Sequence, residues 1–132
     1  MANSISNQVL RERAKTITPT VSTTLSEADS FLEVNVGVNA LTMTLPKITA
    51  DNIGLTYTFR NTLGSTGNIT VAPNAVDAIV GTVGAVTSTG AVNKAIINTV
   101  TTSKLGDYIV LKAITLNKWY IQGGIGVWAS QT

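Results

Sequence analysis

The chain of 132 residues is long enough for one domain with a buried apolar core and too short for two. Charged residues make up 12% of it, about half the share that is usual in globular proteins. Because sparse charge weakens the repulsion between copies, this composition favours a protein that assembles with a partner. The absence of cysteine and histidine excludes disulfides, thiolate nucleophiles and zinc sites built from these residues.

The N-terminal segment differs from the rest of the chain in charge. Residues 1–16 are predicted to form an arm, and residues 17–132 a β domain. The formal net charge of +2 lies in the arm, since the domain has equal numbers of basic and acidic side chains. Nucleic-acid binders normally carry a basic face on the domain itself, so no nucleic-acid partner is predicted. A short helix capped by Ser4, an extended arm that orders on a partner and a loose terminus without a role are all compatible with this segment.

The sequence does not predict a membrane protein. No run of about 18 apolar residues is present to cross a bilayer. No signal-peptide-like apolar segment follows Met1, because the charged residues from Arg11 to Arg13 interrupt the region where one would lie. We therefore expect a chain that is made and kept in a cytoplasm, or released by lysis, with no membrane partner.

The first part of the domain is predicted to consist of strands. Pro19 favours an edge strand near residues 17–24, and a turn is predicted at Leu25–Ser30. Between Phe31 and Asn61, three runs then alternate apolar and polar residues. A period of two is typical of strands with one face on a core and the other in water. The predicted inward side chains are Leu32, Val34, Val36 and Val38, then Leu41, Met43 and Leu45, then Leu55, Tyr57 and Phe59.

The second part of the domain has shorter strands joined by glycine, asparagine and proline turns. This spacing favours an all-β fold, either an antiparallel β-sandwich or a barrel-like, jelly-roll-like domain. The glycine-rich stretch 81–92 is predicted to be a long loop or a weak strand. The further predicted strands are 68–71, 77–80, 94–102, 108–114 and 119–122.

The sequence offers little material for catalysis. General acid–base work needs a group that titrates near neutrality or a carboxylate pair with split pKa values. Among the seven carboxylates, only Asp77 and Asp107, both in predicted turns, are expected to be able to meet by folding. We predict no catalytic residue and no small-molecule substrate.

Cofactor and metal sites are not predicted either. Ser26, Glu27 and Asp29 offer three oxygen ligands in one turn, whereas calcium takes six to eight. The glycines between residues 123 and 126 are not followed by a helix that would bind a phosphate at its N-terminus, so they are interpreted as turn glycines.

Aromatic residues cluster near the C-terminus. Trp119, Tyr120 and Trp128 are interpreted as packing or oligomer-interface residues, because tryptophan is commoner there than in ligand platforms. Stacking on a sugar or a base is the alternative.

Seven short motifs follow one another over about residues 29–128. They are DSFLEV, TMTLP, GLTYTFRN, NITV, DAIVG, GDYIVL and WYIQGGIGVW. Their order resembles the β-modules of tailed-bacteriophage structural proteins, which occur in capsid decoration (cement) proteins and in tail-fibre segments. Since no collagen-like or coiled-coil shaft accompanies them, the decoration class is favoured.

The resemblance implies a homotrimer on the capsid surface of the virion, seated where three subunits of the major capsid protein meet. The arm has no counterpart in the motif pattern and is predicted to bind the shell. Its candidate contacts are Ile5, Val9, Leu10, Arg11, Arg13 and Lys15. The alternative is a tail-fibre or receptor-binding module that contacts host glycans through Trp119, Tyr120 or the Gly81–Gly90 loop.

Overall fold

The computed structural model describes residues 16–84 and 86–131, and this part of the chain is built from strands. One 3-10 turn, Glu27–Asp29, lies where a turn was predicted, and no α-helix occurs within the described ranges. The predicted all-β class is confirmed. The strands are β1 Thr16–Ile17, β2 Thr23–Thr24, β3 Glu33–Val36, β4 Leu41–Thr44, β5 Thr56–Asn61, β6 Ile69–Ala72, β7 Ala78–Val83, β8 Val86–Val92, β9 Ile96–Asn98, β10 Tyr108–Thr115, β11 Lys118–Ile125 and β12 Trp128–Ser130.

The strands form two mixed sheets around one core. Sheet 1 has the order β1-β3-β5-β10-β11-β7-β8, and sheet 2 has the order β12-β9-β6-β4-β2. A single cluster of buried side chains draws on both sheets, which is compatible with the predicted sandwich. The prediction of antiparallel sheets was wrong, because five of the ten strand pairings are parallel. For the barrel-like alternative, the structure shows no closed barrel, since neither sheet closes on itself.

The parallel pairings arise from the way the first half of the chain is wound. From β1 to β6 the strands alternate between the sheets, so that β1, β3 and β5 are neighbours in sheet 1 and β2, β4 and β6 are neighbours in sheet 2. Parallel neighbours need a crossover connection, which in most proteins is a helix. Here each crossover is a strand of the opposite sheet. Each parallel strand therefore keeps one face on the core and the other face outward, which explains the period of two.

The second half of the chain is mostly antiparallel and is joined to the wound half through β5. Phe59 pairs with Ile109 and Tyr57 pairs with Leu111 in the β5–β10 register. The stretch predicted as a loop or weak strand around residues 81–92 belongs to the antiparallel strands β7 and β8. The strand predicted at 94–102 is shorter, at Ile96–Asn98.

The alternating pattern predicted most of the inward positions in the first half. Strands β3, β4 and β5 each alternate buried and half-buried side chains as expected. The exceptions are Val38, at 41% exposed, and Leu32, which is half-buried and not part of the core cluster. Strand β3 has already ended at Val36, so Val38 lies outside the sheet.

A buried polar network closes the end of the body where β5 ends and β10 begins, here called the Asp107 end. The Asn61 amide donates to the Asn98 side-chain oxygen at 2.8 Å, and the Asn98 amide donates to the Asp107 carboxylate at 3.0 Å. The backbone N–H of Lys104 donates to the same carboxylate oxygen at 2.9 Å. The network fixes the loops that follow β5 and β9, since buried polar groups are stable only when they are hydrogen-bonded.

Gly126 makes room for this carboxylate. Its φ of +111° is unfavourable for other residues, and an added Cβ would overlap the Asp107 carboxyl group. We predict that Gly126→Ala lowers the free energy of unfolding by at least about 2 kcal/mol, from backbone strain and displacement of the carboxylate. Urea denaturation measures this change.

Gly123→Ala is the matched control for this substitution. Gly123 lies in β11, three residues before Gly126, and an added Cβ there meets no atom within 4 Å. It is expected to leave stability within about 0.5 kcal/mol of the wild-type value. Equal effects of the two substitutions would contradict the predicted clash between a side chain at position 126 and the Asp107 carboxylate.

Candidate interaction surfaces

The predicted shell-binding residues of the arm lie outside the described part of the chain, and their role stays a prediction. They are Ile5, Val9, Leu10, Arg11, Arg13 and Lys15. The structure does show where this segment joins the body. Thr16 pairs in parallel with Glu33, and Ile17 with Val34, at the edge of sheet 1. The arm is therefore attached beside the start of β3.

The three aromatic residues near the C-terminus have different positions. Trp119 and Trp128 are both fully buried. Trp119 lies 5.7 Å from the Tyr57 ring, and the Trp128 indole N–H donates to the Ile125 carbonyl at 3.2 Å. Tyr120 is half-buried on the outer face of sheet 1. In the single chain only Tyr120 has a surface that a ligand or another subunit could reach.

Asp77 and Asp107 do not meet. Asp107 precedes the first residue of β10, whereas Asp77 precedes β7, whose Ala78 pairs with Lys118 just after the last residues of β10. The two carboxylates thus lie at opposite ends of an eight-residue strand, roughly 25 Å apart at the usual rise. The Asp77 carboxylate accepts from the Ile48 N–H at 3.0 Å and from the Asn117 amide at 3.2 Å.

The acidic turn before β3 uses its oxygens locally. The Asp29 carboxylate accepts from the Ser26 N–H at 2.9 Å, and the Glu27 carboxylate accepts from the Asn52 amide at 3.1 Å. Within residues 16–84 and 86–131, no three Asp, Glu, His or Cys side chains are grouped so that they could hold a metal ion. In the same ranges no helix has the length and apolar character needed to span a membrane.

Large apolar side chains are exposed at both ends of the body, a feature that the sequence reasoning missed. The end opposite the Asp107 end is here called the Phe31 end. Most of these side chains belong to turns. A large apolar residue within a turn, such as Ile53 or Leu105, is the sequence signal that could have revealed this exposed surface. At the Phe31 end they are Phe31, Ile53, Val76, Ile114 and Leu116; at the Asp107 end they are Val38, Leu105, Ile125 and Val127.

The Phe31 end contains a groove of about 500 Å³. Its apolar lining includes Phe31, Ile53 and Leu55, and its acidic lining comprises Glu27 and Asp51. Phe31 is 69% exposed and Ile53 is 46% exposed. The groove thus combines exposed apolar surface with two carboxylates in its lining.

Phe31 has an unfavourable backbone conformation as well as an exposed ring. Its φ is +66°, a region that bulky residues avoid. The conformation is held because the Phe31 N–H donates to the Thr56 carbonyl at 2.6 Å, while the Thr56 N–H donates to the Ser30 hydroxyl at 3.1 Å. Glycine or asparagine would fit this position with less strain. Strain of this kind, on an exposed aromatic side chain, is an indication of function rather than of folding.

The region beside the groove is electronegative. Among the described residues, the one salt bridge joins Arg60 to Glu33. Glu27, Asp29 and Asp51 therefore have no salt-bridge partner within the described part of the chain. The buried Tyr57 hydroxyl donates to the Ser26 carbonyl at 2.7 Å. Burial, followed by the negative charges of Asp29 and Glu27, raises the pKa of Tyr57 above its ordinary value.

Neither models of known protein families nor curated protein sequences match this chain.

The raised pKa of Tyr57 predicts a loss of stability at alkaline pH. Above about pH 10 the unfolded chain releases the tyrosine proton while the folded chain retains it. The free energy of unfolding therefore falls by up to about 1.4 kcal/mol per pH unit in this window, until the pH reaches the folded-state pKa. Urea denaturation between pH 10 and pH 11.5 should show a smaller fall for Tyr57→Phe than for the wild type.

Tyr120→Phe is the control for this experiment, because it removes a tyrosine from the surface and leaves Tyr57 in place. It should retain the wild-type pH dependence. An unchanged slope in Tyr57→Phe would contradict the assignment to the buried hydroxyl.

Proposed function

We propose that this chain is a structural virion protein of a tailed bacteriophage, a capsid decoration protein that binds the assembled shell as a trimer. The observation that carries the proposal is the contrast between the interior and the ends of the body. Asp77 and Asp107 are buried and hydrogen-bonded within the fold. Large apolar side chains are exposed instead at both ends, as on surfaces that contact other proteins.

Such a protein would act by binding rather than by chemistry. A trimer that binds the assembled lattice but not free shell subunits adds its binding free energy to the stability of the shell. Three arms on one trimer act together, so weak individual contacts give slow release. In this proposal the apolar residues Ile5, Val9 and Leu10 anchor the arm. The basic residues Arg11, Arg13 and Lys15 pair with acidic residues of the major capsid protein.

A tail-fibre or receptor-binding module is the second candidate, and the outer face of sheet 1 supports it. The Arg60 guanidinium lies 4.8 Å from the centre of the Tyr108 ring, and Tyr108 and Tyr120 are both half-buried there. Half-exposed aromatic rings are surfaces on which sugars can stack. This candidate would use Tyr120 rather than the buried Trp119.

The arm can be tested with a deletion. Removing residues 2–15 should leave a folded body that no longer co-sediments with purified shells of the parent particle, because the anchoring residues are gone. Neutralising Arg11, Arg13 and Lys15 to Gln should weaken binding and reduce its dependence on salt, since exposed ion pairs are screened. Light scattering on the full-length protein gives the subunit count that the trimer requires.

A surface control and a glycan array complete the experiment. Tyr120→Ala should leave co-sedimentation with shells unchanged. Full binding after the arm deletion would move the contact to the β body. Specific binding of the full-length protein to a glycan array, lost in Tyr120→Ala, would favour the receptor-binding module instead.

A further inference from the structure

The groove at the Phe31 end combines exposed apolar side chains with a strained backbone. Phe31 and Ile53 expose apolar surface in its lining, and at Gly54, also a lining residue, an added Cβ would meet no atom within 4 Å. The Phe31 conformation is strained as well, with a φ of +66°. An exposed and strained aromatic residue is tolerated most readily when it contributes binding energy to a ligand. The open space and the apolar walls fit a segment of polypeptide with aliphatic side chains.

The charge of the groove further restricts its occupant. Glu27 and Asp51 line it, and Asp29 lies in the adjoining 3-10 turn. Burial and, after it, the negative charges of Asp29 and Glu27 raise the pKa of the nearby Tyr57. A partner with basic side chains next to apolar ones would match both the apolar and the acidic residues of the lining.

Such a segment occurs in the same chain. In residues 5–15, the apolar side chains of Ile5, Val9 and Leu10 are followed by three basic residues. With Glu12 included, the segment has a net charge of +2, which is the whole positive excess of the chain. Its composition is therefore complementary to the groove in both apolar character and charge.

The attachment point of the arm places it within reach of the groove. Thr16 lies opposite Glu33 in the neighbouring strand, and Phe31 is two residues before Glu33. At the usual strand spacing and rise, Thr16 and Phe31 are about 8 Å apart. Fifteen residues can extend to about 50 Å. A tether this short gives the arm an effective concentration in the millimolar range at its own groove, well above that of a second copy in dilute solution.

We propose that, in the free protein, residues 5–15 dock in the Phe31 groove of their own chain, with aliphatic side chains against Phe31 and Ile53 and basic side chains toward Glu27 and Asp51. The proposal goes beyond the capsid role and does not depend on it, because it concerns the protein before any partner binds. Docking would cover the apolar arm residues in solution. It would have to be released when the arm binds elsewhere.

Limited trypsin digestion of the full-length protein tests the docking. Cleavage after Arg11, Arg13 and Lys15, followed by mass spectrometry, should be about tenfold slower than in a synthetic peptide of residues 1–20, given millimolar effective concentration and a weak contact. Phe31→Gly, which suits the positive φ, and the pair Glu27→Gln with Asp51→Asn should each raise the cleavage rate toward that of the peptide. Leu105→Ala, at the other end of the body, is the matched control and should retain the protection.

The possible outcomes separate the proposal from its alternatives. Cleavage of the wild type at the rate of the peptide would overturn it, and so would protection that Phe31→Gly leaves intact while thermal unfolding shows a folded body. Protection that increases with protein concentration would place the arm on a second copy and overturn docking within one chain. Because this experiment uses free protein, its failure is distinct from failure of the shell co-sedimentation experiment.

Discussion

The pairing of β5 with β10 is the interaction on which the rest of the structure depends. Strand β5 is the last parallel strand of the wound half in sheet 1, and β10 begins the mostly antiparallel half. Their register sets Phe59 beside Ile109 and Tyr57 beside Leu111, all facing the core. A shift of one residue would turn these side chains outward. In sheet 2, the pairing of β6 with the antiparallel β9 joins the two halves of the chain in the same way. The two halves therefore share one core rather than forming two small domains.

The sequence predicted the strands of the first half better than their arrangement. Alternation identified β3, β4 and β5 because each has one face on the core, and this holds for either strand direction. Parallel strands are usually recognised by continuous apolar runs and intervening helices. Neither signal is present here, since the connection between parallel neighbours is a strand of the opposite sheet. The antiparallel prediction failed for that reason. The strand β8 was also difficult to predict, because its residues are small and Gly90 interrupts the pattern.

The candidate sites could be predicted only in part. The burial of Trp119 and Trp128 follows from their neighbours in strands, and packing was the favoured interpretation. The positions of Asp77 and Asp107 depend on the order of strands that are distant in sequence, so no local pattern could show that they lie at opposite ends of β10. The groove was missed because the exposure of Phe31 goes with a positive φ at this residue. An aromatic residue in a sequence gives no signal for that conformation. The apolar residues in turns were visible in the sequence but were not interpreted as a surface.

The edges of the two sheets explain why contacts with other molecules would be made by the ends of the body rather than by the edge strands. An exposed strand edge invites pairing with another chain, and proteins limit this risk with short or irregular edge strands. Strands β1 and β2 have two residues each and β12 has three. The longer edge strand β8 has a register shift against β7, and Gly90 there has a φ of +85°. Main-chain addition is thus disfavoured at all four edges. The exposed apolar side chains at the Phe31 and Asp107 ends are then the surfaces best suited to specific assembly, because side-chain contacts can limit the number of copies where open strand edges cannot.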